Sequence, residues 1–119
     1  MIKNILIADD SMLTRMVLKS IISAEHPDWL ITEANNGREA VAKASAGGFD
    51  VITLDMNMPE MDGMTAAPLL KASNPAAAIV LITANVQDAI KAKADALGLH
   101  FINKPIDEKK IKDFMAKIL

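Results

Sequence analysis

The chain has 119 residues, a formal net charge of −2 and no cysteine, and 51% of its residues are hydrophobic against 24% charged. The length suits one domain with one hydrophobic core, and the composition is that of a globular protein rather than a disordered or fibrous one. The slight acidity gives no support to nucleic-acid or anionic-membrane partners, which favour a basic face, and the lack of cysteine excludes disulfides, thiolate metal sites and cysteine nucleophiles.

Short apolar runs alternate with helical patterns along the whole chain. The predicted strands are residues 2–8, 29–34, 49–54, 78–83 and 99–103. The third and fourth runs are almost wholly apolar, which is typical of strands covered on both faces. This alternation predicts a (βα)5 chain, whose right-handed crossovers give a parallel sheet with helices on both faces. The doubly wound strand order 2-1-3-4-5 is the natural candidate at this length, although composition leaves the order open.

The segments between the strands repeat apolar residues at helical spacing. The first helix has an apolar stripe at Leu13, Val17 and Ile21, with a further apolar pair, Leu18 and Ile22, outside that stripe. The stripes of the fourth and fifth helices are Val86, Ile90, Ala94 and Leu97, and then Ile111, Phe114, Met115 and Ile118.

Polar residues mark the beginnings of several predicted helices. Ser11, Asp62 and Asp107 stand where the N-caps of the first, third and fifth helices belong. Pro68 fits badly, because a proline inside a helix removes a backbone hydrogen bond. The third helix therefore either begins near Thr65, which places Pro68 in its first turn, or is kinked, and we predict the late start.

The hydropathy of the chain bears on its location. The N-terminal segment MIKNILIADDS ends in acids and has no small-residue cleavage site, unlike a signal peptide. The longest apolar run, residues 76–84, is too short to cross a bilayer as a helix. We expect a cytoplasmic protein that does not associate with membranes.

Polar side chains follow or end four of the five predicted strands. Asp9 and Asp10 follow the first strand, Asp55 the third and Lys104 the fifth, and Thr83 ends the fourth. In an open parallel sheet, ligands bind at the carboxyl ends of the strands beside the switch in strand order. The order 2-1-3-4-5 makes the first and third strands neighbours, so three carboxylates meet there and require a positive counter-charge. Mg²⁺ and Lys104 both meet that requirement, whereas helix capping explains the first two acids but not the third.

With this pattern the chain resembles the receiver domains of two-component response regulators, the CheY-like family. The resemblance covers essentially the whole of residues 1–119 as one domain, and it rests on four motifs: DD after the first strand, DMNMPEMDG at the third, TA at the fourth and KP after the fifth. It implies the flavodoxin-like fold with strand order 2-1-3-4-5. It also implies a stand-alone signalling switch with no turnover substrate, limited to its own phosphorylation and dephosphorylation.

The resemblance implies a role for each acid and for two amides. Asp55 is the expected phosphoacceptor, which takes a phosphoryl group from a phosphohistidine on a histidine kinase or phosphotransfer protein. Asp10, Asp55 and the backbone carbonyl of Asn57 are expected to bind Mg²⁺ directly, or Mn²⁺ in its place, with Asp9 acting through water. Asn57 and Asn85 flank the route of the attacking water and are expected to tune hydrolysis.

The remaining motif residues form the expected phosphate-binding and switch group. Lys104 and Thr83 are expected to contact phosphoryl oxygens, and the Lys104–Pro105 peptide bond is expected to be cis. Phe101 stands at the position of the switch aromatic. Because it lacks the hydroxyl of a tyrosine, we hypothesise that its side chain prefers the buried conformation in both states.

The expected partners are a phosphodonor and a downstream protein target, and we expect a monomer. The signal would leave through a changed surface of the fourth helix, fifth strand and fifth helix, in a pathway such as chemotaxis. The alternatives are a phosphorelay intermediate or the receiver part of a longer regulator. The pair Leu18 and Ile22 is either a docking patch for the donor or part of a wide buried face.

Two other classes of protein compete with this interpretation. A flavin-binding electron carrier of similar topology needs a phosphate-cradling loop after the first strand, where this chain has two carboxylates. An aspartate-nucleophile phosphatase carries its D-x-D pattern on the first strand, whereas the nucleophile candidate here is Asp55 on the third strand and the second acid of that pattern falls on Asn57.

Overall fold

A computed structural model describes residues 3–85 and 87–118. Strands and helices alternate as β1 (Asn4–Ala8), α1 (Met12–Glu25), β2 (Leu30–Ala34), α2 (Gly37–Ala44), β3 (Val51–Asp55), α3 (Gly63–Ser73), β4 (Ala78–Thr83), α4 (Asp88–Ala96), β5 (His100–Asn103) and α5 (Glu108–Ile118). All strand pairs are parallel, and the order β2-β1-β3-β4-β5 confirms the predicted doubly wound sheet. Ile2 of the first predicted strand and Val86 of the fourth helical stripe lie outside the described residues.

The sheet separates two buried apolar clusters. On one face, α2, α3 and α4 pack through residues such as Ala40, Leu70 and Ala94. On the other face, α1 and α5 pack against the sheet, and the predicted α5 stripe is confirmed because all its members belong to this cluster or pack against it: Ile111, Phe114, Met115 and Ile118. Every residue of β3 is buried. Because β3 is the middle strand, its last residue, Asp55, lies at the centre of the carboxyl edge of the sheet.

The rotation of α1 about its axis differs from the prediction. Leu18 and Ile22 are the buried residues of this helix, while Leu13 and Val17 of the predicted stripe are 71% and 38% exposed. Ile21 is partly buried and packs against the apolar cluster on the sheet face that α1 and α5 cover. The two apolar rows have the same i, i+4 spacing and differ by about 100° of rotation, so periodicity alone does not choose between them. Leu18 and Ile22 are therefore core residues and not a docking patch.

The third helix begins earlier than predicted. It starts at Gly63, because the Asp62 carboxylate caps it by accepting a hydrogen bond from the Thr65 N–H at 2.8 Å. Pro68 consequently lies in the second turn, where it has no N–H to donate to the Met64 carbonyl. The predicted start near Thr65 is wrong because the local cap outweighs the unfavourable proline.

The other helix ends agree largely with the sequence. Ser11 caps α1 and Asp107 caps α5, each by accepting a backbone N–H in the first turn. In α4, Ala94 is buried and Ile90 packs against the first cluster, but Leu97 is 37% exposed because the helix has already ended at Ala96. Across the ranges described, no helix is both long and apolar enough to cross a membrane.

Candidate functional site

Three carboxylates meet at the carboxyl ends of β1 and β3. One oxygen each from Asp9, Asp10 and Asp55 lie within 4.8 Å of one another. Asp9 and Asp55 are buried, at 2% and 6% exposure, while Asp10 is exposed. This is a set of hard oxygen donors with one open side, which suits a divalent cation that keeps some of its water. The convergence predicted from the strand ends is therefore confirmed.

Lys104 supplies a positive charge to this carboxylate group. Its Nζ lies 3.1 Å from Oδ1 of Asp55 and 3.6 Å from Oδ2 of Asp9. The backbone places it there, because the Lys104 N–H donates to the Thr83 carbonyl at 2.9 Å and the following peptide bond to Pro105 is cis, as predicted. The ammonium therefore bridges two carboxylates that belong to different strands.

Burial and charge together set the protonation behaviour of the site. Burial raises the pKa of Asp55, the nearby Asp9 carboxylate raises it further, and Lys104 opposes both. Burial also raises the pKa of Asp9, against the hydrogen bond that its carboxylate accepts from the Ser11 N–H at 2.9 Å. Burial alone would lower the pKa of Lys104, but its contacts with Asp55 and Asp9 outweigh that effect and raise it. The pocket thus favours an additional positive charge.

The hydroxyl of Thr83 is buried beside the carboxylates. It accepts a hydrogen bond from the Asn85 N–H at 3.0 Å and donates one to the thioether of Met56, with 3.7 Å between oxygen and sulfur. The side-chain oxygen of Asn85 accepts from the Gln87 N–H at 3.1 Å. Asn57, two residues after Asp55, is exposed at the start of the β3–α3 loop. The roles of Asn57 and Asn85 in hydrolysis stay predictions.

Close backbone contacts position the β3–α3 loop. The Gly63 N–H donates to the Met56 carbonyl at 2.8 Å, and a Cβ on Gly63 would clash with the Asp55 carbonyl. A Cβ on Gly37 at the start of α2 would clash in the same way with the Met61 carbonyl. Both contacts require glycine. The loop that borders the site is thereby packed against β3 at one point and α2 at another.

Arg15 has no role in the sequence-based predictions, yet it contacts the site. Its Nη1 donates to the Asp9 carbonyl at 2.7 Å, and its Nε donates to the Glu33 carboxylate at 3.1 Å. Only 14% of the Arg15 side chain is exposed. The sequence signal that could have identified Arg15 is its place as a basic residue in the first turn of the helix after Asp9 and Asp10. Its partner on β2 becomes evident only once the strands are paired.

Phe101 is half-buried on β5 and packs against the cluster under α4. It lines a groove of about 710 Å³ between α4 and α5, together with Leu99, His100 and Phe114. The role of Phe101 as the switch aromatic stays a prediction. Its preferred conformation after activation stays a prediction.

The fold and the site together define the class. A doubly wound parallel sheet carries a group of carboxylates, a lysine and a threonine at its switch point. These are the side chains that a site for a metal ion and a phosphoryl group requires. The sequence profile of the response regulator receiver domain matches residues 5–116, and this chain belongs to that family.

Individual relatives agree with the family. Chemotaxis protein CheY of Thermotoga maritima is 36% identical over 117 residues, which are 98% of this chain and 97% of that protein. Protein-glutamate methylesterase/protein-glutamine glutaminase 2 of Carboxydothermus hydrogenoformans is 40% identical over 119 residues, 97% of this chain, and this chain spans only 34% of its length. A solved CheX–CheY–BeF₃–Mg²⁺ complex from Borrelia burgdorferi has a TM-score of 0.88 and 31% identity, covering 98% of this chain and 90% of that one.

Membership of the family defines the function in outline. The chain is a receiver domain, the module that phosphorylation activates in two-component signalling. The flavin carrier and the phosphatase are not favoured by these findings. The chain spans about a third of the length of the methylesterase relatives that it matches, so the methylesterase activity belongs to much longer proteins.

Proposed function

We propose that Asp55 is the phosphoacceptor of this receiver and that Lys104 holds the incoming phosphoryl group. The supporting observation is the ammonium of Lys104, which lies 3.1 Å from the Asp55 carboxylate on the edge of a three-carboxylate pocket. Asp55 is 6% exposed and ends the middle strand, so the strand fixes its position at the carboxyl edge of the sheet.

The proposed reaction transfers a phosphoryl group from nitrogen to oxygen. An Oδ of Asp55 forms a bond to phosphorus while the bond between phosphorus and the donor imidazole nitrogen breaks, and the released imidazole takes up a proton. Lys104 stabilises negative charge on the transferring oxygens, which is the main requirement of phosphoryl transfer. In the later hydrolysis, a water oxygen forms a bond to phosphorus while the bond between phosphorus and the Asp55 oxygen breaks, which restores the carboxylate and releases inorganic phosphate.

The pocket suits Mg²⁺ as the cofactor, with Mn²⁺ as a substitute. Asp10 and Asp55 would hold the ion directly with the carbonyl of Asn57, and Asp9 would act through water. The observation in favour is the donor set, which consists of carboxylate oxygens with one exposed member, Asp10. The bound ion would neutralise charge between the carboxylates and the phosphoryl group.

Phosphorylation can be tested directly with acetyl phosphate and Mg²⁺, followed by intact-mass measurement. We expect one phosphate adduct on the wild-type protein, none on Asp55→Asn, and none after EDTA. Asp62→Asn is the matched control, because Asp62 is an exposed acid in the same loop that caps α3. An adduct that survives Asp55→Asn but disappears in another acid variant would assign the acceptor elsewhere.

The donor is proposed to dock on an apolar patch of α1. This patch, the α1 apolar patch, consists of Met12, Leu13, Met16 and Val17, which are 63%, 71%, 59% and 38% exposed. A groove of about 250 Å³ connects it to Lys104, since the groove is lined by Leu13, Val17 and residues 104–106. An exposed apolar surface that borders a reactive site is typical of a protein-binding surface.

A transfer experiment tests the docking proposal. We expect Leu13→Ser to slow transfer from a radiolabelled histidine-phosphotransfer domain about tenfold relative to labelling by acetyl phosphate, since docking loses a buried leucine. Leu69→Ser is the matched control, because Leu69 is 46% exposed on α3, away from the patch. Equal effects of the two variants would remove the α1 apolar patch from consideration.

The output is proposed to leave through α4, β5 and α5, where Phe101 and the groove between the two helices lie. Chemotaxis is the favoured pathway, because CheY proteins of similar length match nearly the whole chain. A role as a phosphorelay intermediate or as the receiver part of a longer regulator is the alternative. We further propose that residues 1–119 form one receiver domain, that it acts as a monomer, and that it works in the cytoplasm.

A further inference from the structure

The thioether of Met56 accepts the only proton that the Thr83 hydroxyl can donate. Thr83 is 1% exposed, and its oxygen lies 3.7 Å from the Met56 sulfur. The same oxygen accepts a hydrogen bond from the Asn85 N–H at 3.0 Å. Among residues 3–85 and 87–118, these two groups are the hydrogen-bond partners of the hydroxyl. The hydroxyl proton is therefore directed at the Met56 sulfur.

Sulfur is a weak acceptor, and a phosphoryl oxygen is a strong one. If Thr83 turns to a phosphoryl group on Asp55, it must first give up the bond to Met56, because one hydroxyl has one proton. A leucine in place of Met56 would offer no acceptor, so the buried hydroxyl would be unsatisfied in the resting state. The strength of the acceptor at residue 56 therefore contributes to the free-energy difference between two orientations of the Thr83 hydroxyl, one bonded to residue 56 and one bonded to the phosphoryl group.

We propose that Met56 is a positioning residue that holds the Thr83 hydroxyl in the resting orientation and so sets the affinity of the site for a phosphoryl group. This inference rests on the proposed function, in which Thr83 contacts the phosphoryl group on Asp55. Met56 also fits the position sterically, because it is half-buried and packs against the cluster under α4. A weak bond at this point fixes the resting state without preventing the switch.

A double-mutant cycle with beryllofluoride tests the inference. Binding of beryllofluoride in the presence of Mg²⁺ is measured by calorimetry for the wild-type protein, Met56→Leu, Thr83→Val and the double variant. We expect Met56→Leu to bind roughly two- to tenfold more tightly than wild type, as loss of one competing hydrogen bond predicts. In the Thr83→Val background, Met56→Leu should change the affinity by less than about 1.5-fold, because no hydroxyl remains to be released.

Matched controls separate this role from packing. Methionine and leucine have similar volumes, so the variant should keep the fold, which circular dichroism checks. Met64→Leu is the control, since Met64 is also half-buried against the same cluster but is not a partner of the hydroxyl. Unchanged or weaker binding in Met56→Leu, or the same change in both Thr83 backgrounds, would overturn the inference. Failure of the wild-type protein to bind beryllofluoride would instead count against the proposed function.

Discussion

His100 is a single residue whose protonation couples to folding. It is half-buried on β5, and its ring meets the Phe114 ring edge-on at 5.3 Å between centroids. Burial lowers the pKa of His100, and the positive charges of Lys117 and Lys71 lower it further. The unfolded chain therefore binds this proton more tightly than the folded one.

The stability contribution of His100 should be fully present above its unfolded pKa of about 6.5 and should be lost as the pH falls below that value. The raised pKa values of Asp9 and Asp55 act in the opposite direction, because their protonation favours the folded state. Urea unfolding from pH 7.5 to 5, done on the wild-type protein and His100→Gln, isolates the histidine. Relative to the variant, the wild type should lose stability on acidification; parallel curves would show that His100 is not involved.

At the scale of elements, α3 contains a proline that its own cap places in the second turn. The Asp62 cap and the close approach of Gly63 to β3 fix the start of the helix. Pro68 is exposed, so its ring is not part of either core cluster. The proline thus weakens the helix without contributing buried apolar area.

Pro68→Ala should raise the free energy of unfolding by about 1 to 2 kcal/mol, because it restores a helical hydrogen bond and that gain exceeds the entropy restored to the unfolded chain. Equilibrium urea unfolding measures the change. Pro75→Ala is the control, since Pro75 is exposed in the turn after α3 and should change stability little or slightly reduce it. A less stable Pro68→Ala protein would show that the proline itself stabilises the fold.

At the scale of the whole molecule, we expect the carboxylate pocket to couple the binding of a divalent cation to the stability of the whole domain. Asp9 and Asp10 follow β1 and Asp55 ends β3, so the mutual repulsion of their carboxylates opposes the pairing of these two strands at the carboxyl edge of the sheet. Lys104, which follows β5, offsets part of this repulsion with its positive charge. A divalent cation that binds only the folded site should stabilise the entire domain.

Mg²⁺ at ten times its dissociation constant should raise the free energy of unfolding by about 1.4 kcal/mol. This gain corresponds to an increase in Tm of a few °C. Thermal unfolding followed by circular dichroism measures this shift, with sodium chloride at matched ionic strength as the control for screening. EDTA should reverse the effect, and Asp55→Asn should reduce it. An equal increase in Asp55→Asn would place the stabilising ion elsewhere.

Several features of this protein are determined by the sequence alone. The five strands, the sheet order expected from resemblance, the Ser11, Asp62 and Asp107 caps and the pocket residues were all predictable. Strand runs and caps are local patterns, because alternation, apolar length and N-cap chemistry involve neighbours in the chain. The acids converge because parallel strands must end at the same edge.

Other features are decided only by the tertiary structure. The sheet selects Leu18 rather than Leu13 as the buried side of α1, because two rows with identical helical spacing differ only in what lies opposite them. The side chains of Arg15 and Glu33, and those of Met56 and Thr83, form hydrogen bonds across large separations in sequence. No local pattern encodes these contacts. The sequence therefore determines which groups are available and along which edge they lie. The packing of helices on the sheet decides which of them meet.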